Sequence, residues 1–157
     1  MKLFFLGKTM FVTINSLFGN NSNLIKLDND IKTNINKDPI IKKYNVTINT
    51  EYRVKNCDRY IQKLKFKKTI PKDRLGLRII YDTDYHNNEF ISYYIMKNIE
   101  DKYSCILGKD YIIKKKDNGY QSLHINIDYD NMIYEIQIRS KLMDYCAKYG
   151  SASDYYK

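Results

Sequence analysis

Ser122-Leu123-His124-Ile125-Asn126-Ile127-Asp128-Tyr129, then Asp130-Asn131, then Met132-Ile133-Tyr134-Glu135-Ile136-Gln137-Ile138-Arg139 is the stretch that decides the fold. Apolar and polar residues alternate through both runs, the signature of strands with one buried face. Asp and Asn tolerate a left-handed backbone, so Asp130-Asn131 suits a two-residue hairpin turn. That turn sets Leu123 opposite Ile138, Ile125 opposite Ile136, Ile127 opposite Tyr134 and Tyr129 opposite Met132. Every such pair is apolar, and a slip of one residue would bury the polar set instead. The other face then carries His124 across from Gln137 and Asn126 across from Glu135, with Arg139 further along.

Outward from the hairpin, the same two periodicities assign the remaining elements. Gly108–Tyr120 reads as a lysine-rich loop and Ser104–Leu107 as a short strand. His86–Tyr103 is expected to be a helix, with Phe90/Ile91, Tyr94/Ile95 and Asn98/Ile99 spaced for burial. Leu75, Leu77, Ile79 and Tyr81 mark a strand. Asn56–Lys67 carries Cys57, Tyr60/Ile61 and Leu64 at helical spacing. Val46, Ile48, Thr50, Tyr52 and Val54 mark another strand, with Tyr52 and Val54 inward and Arg53 and Lys55 on its polar face. Downstream, Ser140–Tyr149 is expected to be a helix with Leu142, Met143 and Cys146 inward. The sum is an α+β domain, a mixed β-sheet flanked by helices, expected on one side of it. Residues 44–157 form the domain. Residues 1–43 are a lead-in, a polar linker or an irregular helical segment, because Gly19–Lys43 shows little periodicity.

Composition narrows the class. The chain has 157 residues, 27 basic and 18 acidic, a net charge of +9. Of the basic residues 22 are Lys, and Ala occurs twice, a skew that weakens the charge as evidence for a nucleic-acid partner. The excess is nevertheless uneven: Tyr44–Arg78 holds ten basic and three acidic residues. Hydrophobic residues at 43% exclude a disordered tail. Cys57, Cys105 and Cys146 lack CxxC or zinc-ligand spacing and read as reduced, mostly structural thiols. No apolar run approaches the ~20 residues of a membrane span. Met1–Phe18 is interrupted by Gly7-Lys8-Thr9 and has no small-residue cleavage site, so a cytoplasmic location is expected. Gly7-Lys8-Thr9 lacks the upstream glycine of a phosphate loop.

Three features have chemical potential. Glu135 is a carboxylate on a sheet face, Asp73 a carboxylate at a strand start, and Lys109–Tyr120 a Lys/Gly/Tyr loop. Two carboxylates on neighbouring strands are one way to hold Mg²⁺, whose other ligands are phosphate and water oxygens. The plainer reading makes both carboxylates solvated surface residues. Tyr120, beside Gly119, is either a platform for a base or an ordinary partly buried tyrosine.

The motifs resemble a family. Lys109-Asp110-Tyr111-Ile112, Lys116-Asp117-Asn118-Gly119-Tyr120-Gln121-Ser122-Leu123-His124 and Glu135-Ile136-Gln137-Ile138-Arg139-Ser140 are similar to the synthetase domain of RelA/SpoT-type alarmone synthetases. Arg53-Val54-Lys55, Lys63 and Asp73-Arg74-Leu75-Gly76-Leu77-Arg78 continue the resemblance upstream, and Met143, Ala147, Gly150, Ala152 and Tyr156-Lys157 continue it downstream. It covers Arg53–Lys157 in order. The resemblance implies a nucleotidyltransferase-like fold and a GTP/GDP pyrophosphokinase. Such an enzyme moves the β,γ-pyrophosphate of ATP to the 3′-hydroxyl of GDP or GTP, giving (p)ppGpp. It implies that Asp73 and Glu135 are catalytic and hold Mg²⁺, and that Glu135 helps deprotonate the acceptor. Arg53 would clamp adenine, and Lys55, Lys63 and Arg78 would bind the ATP phosphates. Lys116, Asn118, Tyr120 and His124 would hold the acceptor nucleotide, with Tyr120 on its base. Gln137 and Arg139 would support the metal and phosphate face.

The departures from the family pattern are Tyr52 for Gly, Arg59 for Ser, Asp144 for His and Asp154-Tyr155 for His-Trp. The link between Lys63 and Asp73 is also short, and no Pro precedes Lys116. None removes a proposed metal ligand. Without a His-Asp dipeptide, and at this length, a stand-alone synthetase is expected, with a homo-oligomer allowed. Two rivals stand beside it. One is a toxin-like pyrophosphokinase acting on adenine nucleotides or the tRNA 3′ end, motivated by the basic segment with Lys65, Lys67 and Lys68. The other is a catalytically silent nucleotide- or RNA-binding module.

Overall fold

The computed structural model describes residues 21–54 and 75–150. Helices α1 (Asn21–Lys37) and α2 (Pro39–Lys43) lead into strands β1 (Thr47–Val54) and β2 (Leu75–Asp82). Helix α3 (Asn88–Glu100), strands β3 (Cys105–Asp110), β4 (Leu123–Tyr129) and β5 (Met132–Ser140) and helix α4 (Lys141–Tyr149) follow. The five strands form one sheet in the order β1-β2-β5-β4-β3. Among the described residues only the central β2–β5 pair is parallel; the other three pairs are antiparallel. The sheet is therefore mixed, as the alternation implied.

The hairpin register is the expected one at every position, from Leu123 opposite Ile138 to Tyr129 opposite Met132. Asp130 and Asn131 both take positive φ, 54° and 59°. A turn that is left-handed at both central residues matches the twist of the flanking strands. Glycine fits the second position better than Asn. Asn131→Gly is therefore expected to leave the fold intact and raise stability by a few tenths to about 1 kcal/mol, as read by urea denaturation.

The apolar sheet face packs on α1 and α3. Leu77, Ile79, Ile125, Ile127, Ile136 and Ile138 are buried there with Leu27, Ile31 and Ile35 of α1 and Ile91, Ile95 and Ile99 of α3. The polar-looking segment before β1 is thus regular helix, and Leu24, Leu27, Ile31 and Ile35 give it the periodicity that its Asn and Asp content disguised. Asp38 caps α2 by accepting from the Ile40 and Ile41 amides, and it also accepts from the Tyr94 hydroxyl of α3 at 3.0 Å. Asn87 and Ser140 cap α3 and α4 through their side chains.

Four expectations need correction. Strand β3 runs on through Gly108-Lys109-Asp110, which pair with Ile125, His124 and Leu123, so the loop starts only after Asp110. Phe90 is partly exposed beside the Ile91/Ile95/Ile99 stripe. Tyr52 is 53% exposed, because β1 is an edge strand and the core ends beneath it. Its hydroxyl reaches the buried Asp28 carboxylate of α1 at 2.9 Å. Helix α4 departs most from expectation. It buries Met143, Asp144 and Ala147 and turns Leu142, Tyr145, Cys146 and Tyr149 outward. It also lies over the polar face of the sheet, where Asp144 meets Arg139 and Lys148 meets Glu51. The helices therefore flank both faces. The expected helix Asn56–Lys67 lies outside the described residues. Among the described residues, no helix is long and apolar enough to cross a membrane.

Candidate active site

Strand parity builds the site. On β5 the residues between the core positions Tyr134, Ile136 and Ile138 are Glu135, Gln137 and Arg139, so all three project from the polar face. On β4 the same rule brings His124 to Gln137 and Asn126 to Glu135. On β1 it selects Glu51 and Arg53, which align with Arg78 and Gly76 of β2. Gly76 in turn aligns with Glu135.

Glu135 is the hub of this face. Its Oε2 accepts from Arg53 Nη1 at 2.7 Å and from Gln137 Nε2 at 2.9 Å. Its Oε1 lies 3.6 Å from His124 Nδ1. On the far side of the imidazole, His124 Nε2 and the Tyr120 hydroxyl are 2.9 Å apart and share a hydrogen bond. A chain thus runs from Arg53 through Glu135 and His124 to Tyr120, joining three strands and the loop before β4. Burial pushes the His124 pKa below its ordinary value; Glu135 opposes that shift, while Arg53 and Lys116 add to it. His124 is accordingly neutral at neutral pH, able to donate from one nitrogen and accept at the other.

That depression has a measurable consequence. A histidine with a lowered native pKa binds fewer protons folded than unfolded. Its contribution to stability is present above the unfolded value of about 6.5 and is lost as pH falls toward the native value. Chemical denaturation between pH 7.5 and 5.5 is expected to show a stability decline that His124→Gln flattens; equal slopes in both proteins would contradict it.

The loop before β4 is held by local hydrogen bonds. Lys116 accepts from the Gly119 amide at 2.8 Å, and the Asn118 side chain accepts from the Tyr120 amide at 3.2 Å. Gly119 takes φ 77°, a conformation that favours glycine. The turn delivers Tyr120 against Ala147 of α4 and Tyr111. Lys116 Nζ stands 4.6 Å from the Tyr111 ring centre and 5.2 Å from that of Tyr120. Tyr111 also packs edge-on to His124, with ring centres 5.1 Å apart. Tyr120 is buried, with its hydroxyl on His124.

Arg78, Lys148 and Arg139 are each paired with a carboxylate of the chain. Arg78 Nη1 donates to Glu51 Oε2 at 2.7 Å, and Lys148 Nζ to Glu51 Oε1 at 2.6 Å. Arg139 is 1% exposed and donates to Asp144 through Nη2. Arg139 thus ties α4 to the sheet. Lys55, Lys63 and Asp73 lie outside the described residues, as do Arg59, Lys65, Lys67 and Lys68. Sequence reasoning gave no role to Glu51, Tyr111, Asp144 or Lys148. Parity on β1, two residues before Arg53, would have found Glu51; the other three needed the position of α4 and the loop.

Mg²⁺ takes hard oxygen ligands and keeps several waters. Among the described residues no three His, Cys, Asp or Glu side chains cluster as a metal cage. Glu135 nevertheless fits as one ligand of an ion shared with phosphate oxygens. It is a partly buried carboxylate with the cation Arg53 beside it.

Residues 52–157 match the model of the region found in RelA/SpoT proteins. Over 108 residues, 66% of this chain, there is 34% identity to a probable guanosine-3′,5′-bis(diphosphate) 3′-pyrophosphohydrolase of Mycoplasma pneumoniae. Over 99 residues, 60% of the chain, there is 39% identity to a probable chloroplastic GTP diphosphokinase of Arabidopsis thaliana. The chain spans only 14% and 13% of those proteins' lengths. The fold is similar to that of small alarmone synthetase 2 from Bacillus subtilis, with a TM-score of 0.62 and 27% identity, covering 90% of this chain and 80% of that one. Small alarmone synthetase 1 from Bacillus subtilis, bound to its product pppGpp, gives a TM-score of 0.65 at 20% identity, covering 92% and 81%.

Proposed function

The chain belongs to the RelA/SpoT family, and from that premise we propose that it transfers the β,γ-pyrophosphate of ATP to the ribose 3′-hydroxyl of GDP or GTP. The observation that supports this reading is the chain of contacts Arg53–Glu135–His124–Tyr120. It sets a carboxylate between a cation suited to the donor and an aromatic group suited to the acceptor.

The acceptor's 3′-oxygen attacks the β-phosphorus of ATP. The bond from that phosphorus to the oxygen bridging to the α-phosphorus breaks, and AMP leaves with the bonding pair. The 3′-hydroxyl proton passes to a Glu135 oxygen. Such transfers need positioning and charge stabilisation more than covalent help. Mg²⁺ held by Glu135 and Asp73 would withdraw charge from the polyphosphate. Arg53 clamps the adenine from its place beside Glu135, and Lys55, Lys63 and Arg78 take the phosphates. Lys116 and Asn118 shape the acceptor loop, and Tyr120 with His124 orients the guanosine. Gln137 fixes the Glu135 carboxylate.

The test is one product analysis. Protein, Mg²⁺ and ATP labelled in the β-phosphate are incubated in parallel with GDP, GTP, ATP and tRNA, and products are separated by anion exchange. Label in a guanosine 3′-pyrophosphate, with AMP in equal amount, is expected. Label only in tRNA or an adenine nucleotide would replace the acceptor. Folded protein that binds nucleotide and labels nothing would make it a silent module.

A further inference from the structure

Five charged side chains of alternating sign run across the polar face. Arg139 of β5 bonds to Asp144 of α4, and Asp144 Oδ2 lies 3.0 Å from Lys148 Nζ one turn later. Lys148 bonds to Glu51 of β1, and Glu51 holds Arg78 of β2. Asp144, Ala147 and Lys148 stand at i, i+3 and i+4, so they share one face of α4. Between the two charged positions, Ala147 packs on Tyr120. The helix that packs on Tyr120 is thus tethered, through two side chains, to Arg78 of β2.

We propose that Glu51, Lys148 and Asp144 are positioning residues that couple the donor's polyphosphate to the acceptor slot. This rests on the pyrophosphokinase reading, which places the ATP phosphates at Arg78 and the acceptor base at Tyr120.

Glu51 divides its two oxygens between Arg78 and Lys148. These two cations hold its carboxyl below the ordinary range against the opposing effect of burial. A polyphosphate competes for Arg78 with a greater charge than one carboxylate carries. Once Arg78 turns to phosphate, Glu51 is left to Lys148 and draws α4 toward the sheet. Ala147, already packed on Tyr120, is then held there more firmly, so the wall of the acceptor site is set before the acceptor arrives. Arg139 anchors the other end. It is buried, with its Nε unpartnered, and the neighbouring Arg78 adds to the burial that makes its charge costly, so it depends on Asp144. Lys148 and Glu51 are each about one-third exposed, so their contact can be remade without unfolding the core. Asp144 stands where the family resemblance expects His, which makes this chain of contacts a property of the present sequence.

The experiment measures GDP binding by calorimetry with and without a non-hydrolysable ATP analogue and Mg²⁺. In the unaltered protein the analogue is expected to tighten GDP binding by about fivefold or more. Lys148→Met should reduce that factor to about one while each nucleotide still binds alone, and Lys148→Arg should restore it. Glu51→Gln serves as the second variant and should weaken the coupling in the same way. Full coupling in both Lys148→Met and Glu51→Gln overturns the proposal, as does binding of both nucleotides by the unaltered protein without coupling. Failure of the unaltered protein to bind either nucleotide overturns the pyrophosphokinase reading and this inference with it.

Discussion

Glu135→Gln is expected to lower pyrophosphate transfer by about 10²–10³-fold or more while leaving a folded protein. The amide keeps the shape of the carboxylate and can still accept a hydrogen bond from Arg53 or Gln137. It can neither supply the negative charge that would hold a metal ion nor take the proton from the acceptor hydroxyl. The substitution also strips Arg53 of its anion at a half-buried position, so a melting temperature lower by a few degrees is expected alongside the rate loss. Initial rates with labelled ATP and a thermal melt of the same sample separate the two effects. A variant that turns over within twofold of the original would remove Glu135 from the mechanism.

Gly76→Ala is the second large effect, and it reaches the same carboxylate through the backbone. A Cβ on Gly76 would sit 2.6 Å from the Glu135 carbonyl oxygen. The obstacle is main chain, which cannot swing aside as a side chain can. The central parallel pair must part at the rung that joins Gly76 to Glu135. Overpacking of this kind costs about 1–3 kcal/mol, and a branched side chain such as Val costs more. Displacing Glu135 also degrades a site in which a misplacement of about 1 Å is worth on the order of 10²-fold. Urea midpoint and transfer rate should therefore fall together. A Gly76→Ala protein of undiminished stability would show that the two strands separate more easily than their spacing implies.

Much of this is legible in the sequence. The hairpin register followed from alternation and a two-residue turn, because a period of two leaves no other way to bury Leu123, Ile125 and Ile127 with their partners. That register alone set His124, Glu135, Gln137 and Arg139 on one face. What could not be read was where α4 would lie. Its apolar residues Leu142 and Cys146 suggested an inward stripe, but the surface it covers is charged, so Asp144 and Lys148 face in. Hydropathy assigns a helix face only when the opposing surface is apolar. The role of Tyr52 was hidden for a related reason: alternation gives the direction of a side chain but not where the sheet ends. The lead-in was obscured by composition, since Asn and Asp on the outer face of α1 diluted its Leu and Ile spacing.

The reversed helix α4 also predicts an unusual pattern of mutational tolerance. In most surface helices the apolar positions are the fragile ones and the charged positions accept almost any residue. Here Leu142 and Tyr149 are about 70% exposed, whereas Asp144 is nearly covered. Along these nine residues Leu142, Tyr145 and Tyr149 should accept polar replacements freely, whereas Asp144 should tolerate change as poorly as Met143 and Ala147, so a substitution map ranked by hydrophobicity would misplace all four of the unexpected positions.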